Sequence, residues 1–428
     1  MTVGRQLFEV YETFRQSILE MDQIHFNLTQ VSIVRDIGFF GAERLKTSMP
    51  DIWPVSLIVP TIAMIQIALV DLLASLNIHP TAVVGHSAGE TAMMYACGAV
   101  SKALAIEVAV RRAKAMTSVE DFDGGMAAIS CPPGEAEDIV RIASRDHDPS
   151  EILEVACYNA PAAVAISGHN RLLQKAIELA THRGYWARKI KTLVAGHSSL
   201  LEDCRTDYLE GMTEAFIRHA SGDNTPKIVA YSCQTGQRWD APFTPEYVWA
   251  SARAPVKFGE AISKILADNR DTPVFLEISP HPALSSYLAA IGVNEERILC
   301  PMHRIKKPSS SFDEPRHLLQ TIGKLTLLGF NAIYFEVLNQ INTLKTRTPL
   351  PPYPFLPHHV PIYPESSRLL AKQFRNYHGL LNYEFMVINA STHPDLAQHV
   401  INGESIFPAT GFLEMVCVKL SQSRGQAE

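Results

Sequence analysis

The run Thr81-Ala-Val-Val84, continuing as Gly85-His-Ser-Ala-Gly-Glu90, constrains this chain more than any other feature. A short apolar segment, a Gly-x-Ser-x-Gly turn and the small residues 92–98 read as strand, sharp turn and helix. The glycines permit a turn tight enough to lift the Ser87 hydroxyl into a cleft. The N–H of Ala88, at the start of the helix, is then placed to bind an oxyanion. A bare Gly-x-Ser-x-Gly also occurs in ordinary turns, and the strand and helix around this one are what single it out.

Elsewhere the hydrophobic spacing divides the chain. Residues 7–30 read as one amphipathic helix (Leu7, Val10, Tyr11, Phe14, Ile18, Met21), and 60–76 as a largely buried one. The apolar stretch 55–73 is interrupted by Pro60, Thr61, Gln66 and Asp71, which favours a core helix over a membrane span. A helix over 101–117 begins at Ser101, a suitable N-cap. From Gly124 the order is strand (126–130), helix (135–144), strands (153–158 and 163–167) and helix (171–183). That order predicts a small α+β insert on a larger α/β body. The chain returns to the body over 190–196, and 273–278 reads as a further buried strand. Residues 349–364 hold seven prolines in sixteen positions, which predicts an extended segment rather than a core element.

A nucleophilic serine needs a base, and the sequence offers sixteen histidines. His86 adjoins Ser87 and should point away at so sharp a turn. His197 follows the apolar Leu193-Val-Ala-Gly196, read as a strand delivering it to a sheet end, and is the strongest candidate. Arg112 falls on the apolar stripe of its helix, with Leu104, Ala105, Val108, Ala109 and Met116, while Arg111 shares the other face with Glu107 and Lys114. A guanidinium turned into a core requires an anion. Two partners are open, an internal carboxylate or a substrate carboxylate held bidentately. His358-His359 lack a third ligand, which argues against a metal site. Ser279-Pro-His-Pro282 reads as a rigid loop and Asn159-Ala-Pro161 as a turn. Seven scattered cysteines without a CxxC pair point to a reducing, cytoplasmic setting. The 38 basic and 44 acidic residues are interspersed, which speaks against nucleic acid or an anionic membrane as partner.

GHSAGE at 85–90, Arg112, NAPAAVAISG at 159–168, GHS at 196–198 and EISPHPAL at 277–284 together resemble the malonyl-CoA:carrier-protein acyltransferase domains. The likeness is greatest to those of fungal highly reducing polyketide synthases and spans about 3–305. It implies an α/β-hydrolase-like body with a parallel sheet and a ferredoxin-like subdomain at about 124–188. It also implies Ser87 as the acylated nucleophile, His197 as its base oriented by backbone carbonyls, Ala88 as a backbone oxyanion donor and Arg112 as the holder of the substrate carboxylate. The expected substrates are malonyl-CoA or a related acyl-CoA and the phosphopantetheine of an acyl carrier protein, with other synthase domains as partners and no bound cofactor or metal.

The tail carries a second resemblance. LPPYPF at 350–355 is similar to the linker that follows such acyltransferases, here 306–374. His399, Gly403 and Pro408 match the HxxxGxxxxP pattern of a dehydratase, so 375–428 is expected to be the start of a hot-dog dehydratase domain with His399 as its base. The family opens with a strand and a GQG-type loop that completes the oxyanion hole. This chain is expected to begin just beyond them, which leaves an incomplete, scaffold-only piece as the alternative to an active enzyme. Gly196 stands where the family usually has a larger residue, and the choice of acyl unit stays open.

Overall fold

The computed structural model describes residues 3–41, 52–145, 148–220, 222–304, 313–338, 391 and 394–413. It divides into two units, Met1–Leu344 and Lys345–Glu428. The proline-rich segment 349–364, with LPPYPF and His358-His359, lies outside the described residues.

The body of the first unit is built on parallel strand pairs. Strand β1 (Ala82–Gly85) pairs in parallel with β6 (Val229–Ser232), and β7 (Gln237–Trp239) adds to β6 antiparallel. A separate parallel pair joins β8 (Phe275–Leu276) to β9 (Ile298–Leu299). Parallel pairing was expected, but it comes in two short pieces rather than one wide sheet, and the strand read over 273–278 shrinks to two residues. Helices Glu12–Thr29, Val55–Ser75 and Lys102–Thr117 pack together around buried Phe14, Ile18, Met64, Leu72 and Val108. Leu104, Ala105, Val108, Ala109 and Met116 are all buried, as the helical spacing predicted.

Local departures have physical causes. The amphipathic run 7–30 is two helices, Arg5–Val10 and Glu12–Thr29, because Tyr11 takes extended angles (φ −101°, ψ 113°) between them. The buried helix starts at Val55, before Pro60. Pro60 deprives the Ser56 carbonyl of its helical donor, and Ser56 is exposed, so water can serve that carbonyl. This helix is long and apolar enough to cross a membrane by composition, yet Ile67, Ala68 and Leu69 are fully buried in the core.

The insert consists of β2 (Gly124–Ile129), helix Pro133–Ala143, β3 (Leu153–Ala160), β4 (Ala163–His169), helix Asn170–His182 and β5 (Ala187–Ile190). Its strands are antiparallel in the order β3-β4-β2-β5, the ferredoxin-like arrangement. The closing strand β5 is the element the residue pattern missed. Its last residues, 188–190, are exposed and mostly charged, so no apolar alternation marks them. Both helices cover one sheet face, burying Ala127, Ile129, Ile139, Ile166 and Leu173.

Helices Glu314–Leu327 and Phe335–Leu338 come last among the described residues of the first unit. The Glu314 carboxylate accepts from the N–H groups of Gly4 (2.7 Å) and Gln6 (2.9 Å) at the start of Arg5–Val10. In the second unit a two-residue turn, Asn402-Gly403, both with positive φ, joins β10 (Val400–Ile401) to β11 (Glu404–Ser405).

Behind the Ser87 turn, strand and helix touch at Gly85. A Cβ there would lie 2.6 Å from both the Cα and the N of Glu90, which are backbone atoms that cannot swing aside. Gly85→Ala should therefore destabilise the chain by about 1–3 kcal/mol or more, read from its urea midpoint. Gly134→Ala, with nothing within 4 Å of the added carbon, should leave the midpoint unchanged or slightly raised.

Candidate active site

Ser87 lies at the end of β1 with φ +54°, in the left-handed region that a non-glycine residue occupies only when its surroundings hold it there. A short 3-10 turn, Ser87–Gly89, leads into helix Glu90–Ala96. Ala88, second in that turn, has an N–H with no acceptor within the helix. The Ser87 Oγ is 2.7 Å from Nε2 of His197. The two residues that the sequence offered as nucleophile and base are thus one hydrogen-bonded pair.

His197 arrives differently from the expectation. Leu193–Gly196 is not a strand; β5 ends at Ile190 and the chain runs on as a loop. The histidine has φ +60° and is held by the end of helix Pro245–Arg253. Its N–H donates to the Ala252 carbonyl (3.0 Å), and its Nδ1–H donates to the Ala254 carbonyl (2.9 Å). Because a carbonyl only accepts, the proton must sit on Nδ1, which leaves Nε2 free to accept the serine proton. The loop is fixed further by Ser199 N–H to Glu154 (3.0 Å) and by Arg253, which reaches Ser199 Oγ (2.7 Å) and Glu202 (2.9 Å).

His86 points away, as anticipated. Its Nε2–H donates to Asn159 Oδ1 at 2.8 Å, and its ring packs edge-on against Phe258. Asn159 belongs to β3 rather than to a turn, and its buried amide steadies the residue before the nucleophile.

Arg112 is 4% exposed, and its Nη1 has no hydrogen-bond partner. Among the described residues no carboxylate forms the internal salt bridge that the sequence left open for it. Its neighbour Arg111 pairs with Glu107 (3.1 Å) and Glu214 (3.0 Å). On the face Arg111 shares, Lys114 is exposed while Glu107 is buried and also binds Arg218 and His219. Glu90 is near enough for its charge to act on Arg112, yet its oxygens are engaged elsewhere. Oε1 accepts from Cys233 N–H (2.9 Å), and Oε2 lies 2.7 Å from the Tyr247 hydroxyl. Burial pushes the Glu90 carboxyl up to about 7, against those two hydrogen bonds and the Arg112 charge.

Burial, and next the Arg112 charge, push His197 down to about 3, while the Ala254 carbonyl opposes both. The ring is neutral, as a proton acceptor must be. Ser279-Pro-His-Pro282 forms a loop gathered by Glu277, which accepts from Ala283 N–H (2.8 Å) and Leu284 N–H (3.1 Å). Gln66 ties the loop to the body through its Nε2–H to the Ile278 carbonyl (3.0 Å). A surface cleft of about 820 Å³ by Tyr158, Lys257 and Lys264 contains none of these catalytic candidates. His399 lies in the second unit, exposed, with Nδ1 2.9 Å from the Ile406 carbonyl. Among the described residues no group of side chains is arranged to hold a metal.

Residues 2–312 match the acyl transferase domain family. The chain belongs to that family. Over 415 residues this acyl transferase domain and its flank are 49% identical to a highly reducing polyketide synthase of Strobilurus tenacellus, covering 97% of the chain and 15% of that relative. The chain thus spans a small part of the curated relatives it matches. Among solved structures, the loading acyltransferase of the avermectin modular polyketide synthase aligns with a TM-score of 0.65 at 23% identity, covering 76% of this chain and 95% of that one. A malonyl CoA-acyl carrier protein transacylase from Clostridium perfringens aligns at 0.60 and 22%, covering 77% and 96%. Both likenesses establish the fold. The roles of Glu90 and Tyr247 went unread in the sequence, and the backbone carbonyls that the resemblance implied for His197 are those of Ala252 and Ala254. Only Glu90 left a signal, a carboxylate set among small and apolar residues.

The depressed value at His197 sets a test. The unfolded chain takes up this proton as pH falls through about 6.5, whereas the folded chain waits until about 3, so the residue's contribution to stability is lost as pH drops across that window. The ring ¹³Cε1 signal of His197, assigned by its loss in His197→Asn, should not titrate between about pH 8 and 5. A midpoint near 6.5 would contradict the buried, neutral base.

Proposed function

We propose that the domain moves a malonyl-type extender unit from coenzyme A to the phosphopantetheine thiol of an acyl carrier protein, through an ester on Ser87. The observation that carries this reading is the unpaired, buried guanidinium of Arg112 beside a formed Ser87–His197 pair. A buried charge with an unused donor is costly unless an anion completes it. An acyl group that brings its own carboxylate does so.

In the first half-reaction Ser87 Oγ attacks the thioester carbonyl while its proton passes to His197 Nε2. The carbonyl oxygen, now an oxyanion, is received by the Ala88 N–H. Collapse breaks the C–S bond, and the departing thiolate takes the proton from His197. The second half-reaction repeats these steps with the carrier thiol as nucleophile, its proton passing to His197 and then to Ser87 Oγ. Through both, the Ala254 carbonyl holds the tautomer and steadies the transient imidazolium. A carboxylate bound to Arg112 also cancels a charge that weakens His197 as a base. The correct acyl unit thereby improves the base that transfers it.

Gly196 leaves space in front of His197, where an added carbon would meet only Met126 Sδ at 3.8 Å. That room is compatible with malonyl or a branched unit. The tail is proposed to start a dehydratase domain with His399 as base, a reading that rests on the spacing of His399, Gly403 and Pro408.

Intact-mass spectrometry after brief exposure to malonyl-CoA should give one malonyl adduct on the wild type and none on Ser87→Ala. Arg112→Ala should lose about 10- to 100-fold in malonyl loading and little in acetyl loading. Equal losses for both donors would refute the carboxylate clamp.

A further inference from the structure

Glu90 is 3% exposed and lies three residues after the nucleophile, at the start of the helix that the Ser87 turn leads into. Its carboxylate makes two long-range contacts. Oε1 accepts from the N–H of Cys233, the residue after β6, and Oε2 lies 2.7 Å from the hydroxyl of Tyr247. That hydroxyl is also 2.7 Å from Ser232 Oγ, at the end of β6. Tyr247 sits in helix Pro245–Arg253, whose final turn and C-cap supply the Ala252 and Ala254 carbonyls that hold His197. The nucleophile's helix and the base's support therefore meet at one buried carboxylate. We propose that Glu90 is a positioning residue: through Tyr247 it locks the element carrying Ser87 to the element that orients His197, and so sets the reactive distance between them.

Glu90 touches neither member of the pair. Its effect runs through hydrogen bonds that fix the Tyr247 helix against the Ser87 turn, and a misplacement of about 1 Å between reacting groups can cost on the order of 100-fold in rate. A glutamine can keep both contacts. Its oxygen accepts from Cys233 N–H and its amide donates to the Tyr247 oxygen, whose O–H turns to Ser232. A requirement for geometry is thus separable from a requirement for negative charge near Arg112.

The inference rests on Ser87 and His197 acting as nucleophile and base, so the test uses a reagent that needs no carboxylate clamp. The full-length chain is labelled at Ser87 with a fluorophosphonate under single-turnover conditions, alongside kcat and KM for malonyl-CoA. Tyr247→Phe, which removes only the hydroxyl, should slow labelling roughly tenfold and lower kcat with KM unchanged. Glu90→Ala should slow it further, and Glu90→Gln should stay within about twofold of wild type. If Glu90→Ala fails to fold, Tyr247→Phe decides. Wild-type labelling rates in Tyr247→Phe, or a Glu90→Gln as slow as Glu90→Ala, would overturn the brace. A wild-type chain that the reagent leaves untouched would instead overturn the reading of Ser87 as nucleophile.

Discussion

The hydrogen bond of 2.7 Å between Ser87 and His197 joins two residues that both occupy left-handed backbone conformations. Each such position costs on the order of 1–3 kcal/mol and persists only when the surroundings over-determine it. On the serine side Gly85 lies so close to the backbone of Glu90 that a Cβ there would clash with it. On the histidine side it is a pair of carbonyls, Ala252 and Ala254, reinforced by the Ser199–Glu154–Arg253 contacts. The body supplies the first set and, through helix Pro245–Arg253, both carbonyls of the second, to which the ferredoxin-like insert adds Glu154. The two-part architecture therefore serves to bring two strained residues together.

Electrostatics decides what can react there. The site has one buried cation without an ion-pair partner among the described residues, Arg112. The carboxylate near it, Glu90, is occupied by Tyr247 and Cys233. Burial first, and the Arg112 charge second, keep His197 neutral. Charge, tautomer and geometry are thus set by the same small group of residues.

Much of this was legible in the sequence where a short-range rule applies. The Ser87 turn could be read because glycine spacing and a strand–helix boundary are local properties. The burial of Arg112 followed from the helical period, although its lack of a partner did not, since that depends on where distant carboxylates are spent. The insert was visible except for β5, whose Arg188 and Lys189 carry no apolar alternation. His197 was chosen partly for a strand that does not exist; the family resemblance implied main-chain carbonyls as its support, but which residues supply them leaves no mark in the sequence. Glu90 and Tyr247 are 157 positions apart, beyond the reach of any local pattern. The helix start ahead of Pro60 is a case where solvent access to the Ser56 carbonyl overrode a boundary rule.

The most direct test of the account is a crystal structure of the Ser87 acyl-enzyme formed with malonyl-CoA. The account predicts an ester whose carbonyl oxygen faces the Ala88 N–H and whose free carboxylate lies within hydrogen-bonding distance of Arg112 Nη1, with the His197–Ala254 contact intact. An acyl chain directed to solvent, with Arg112 still unpaired, would contradict it.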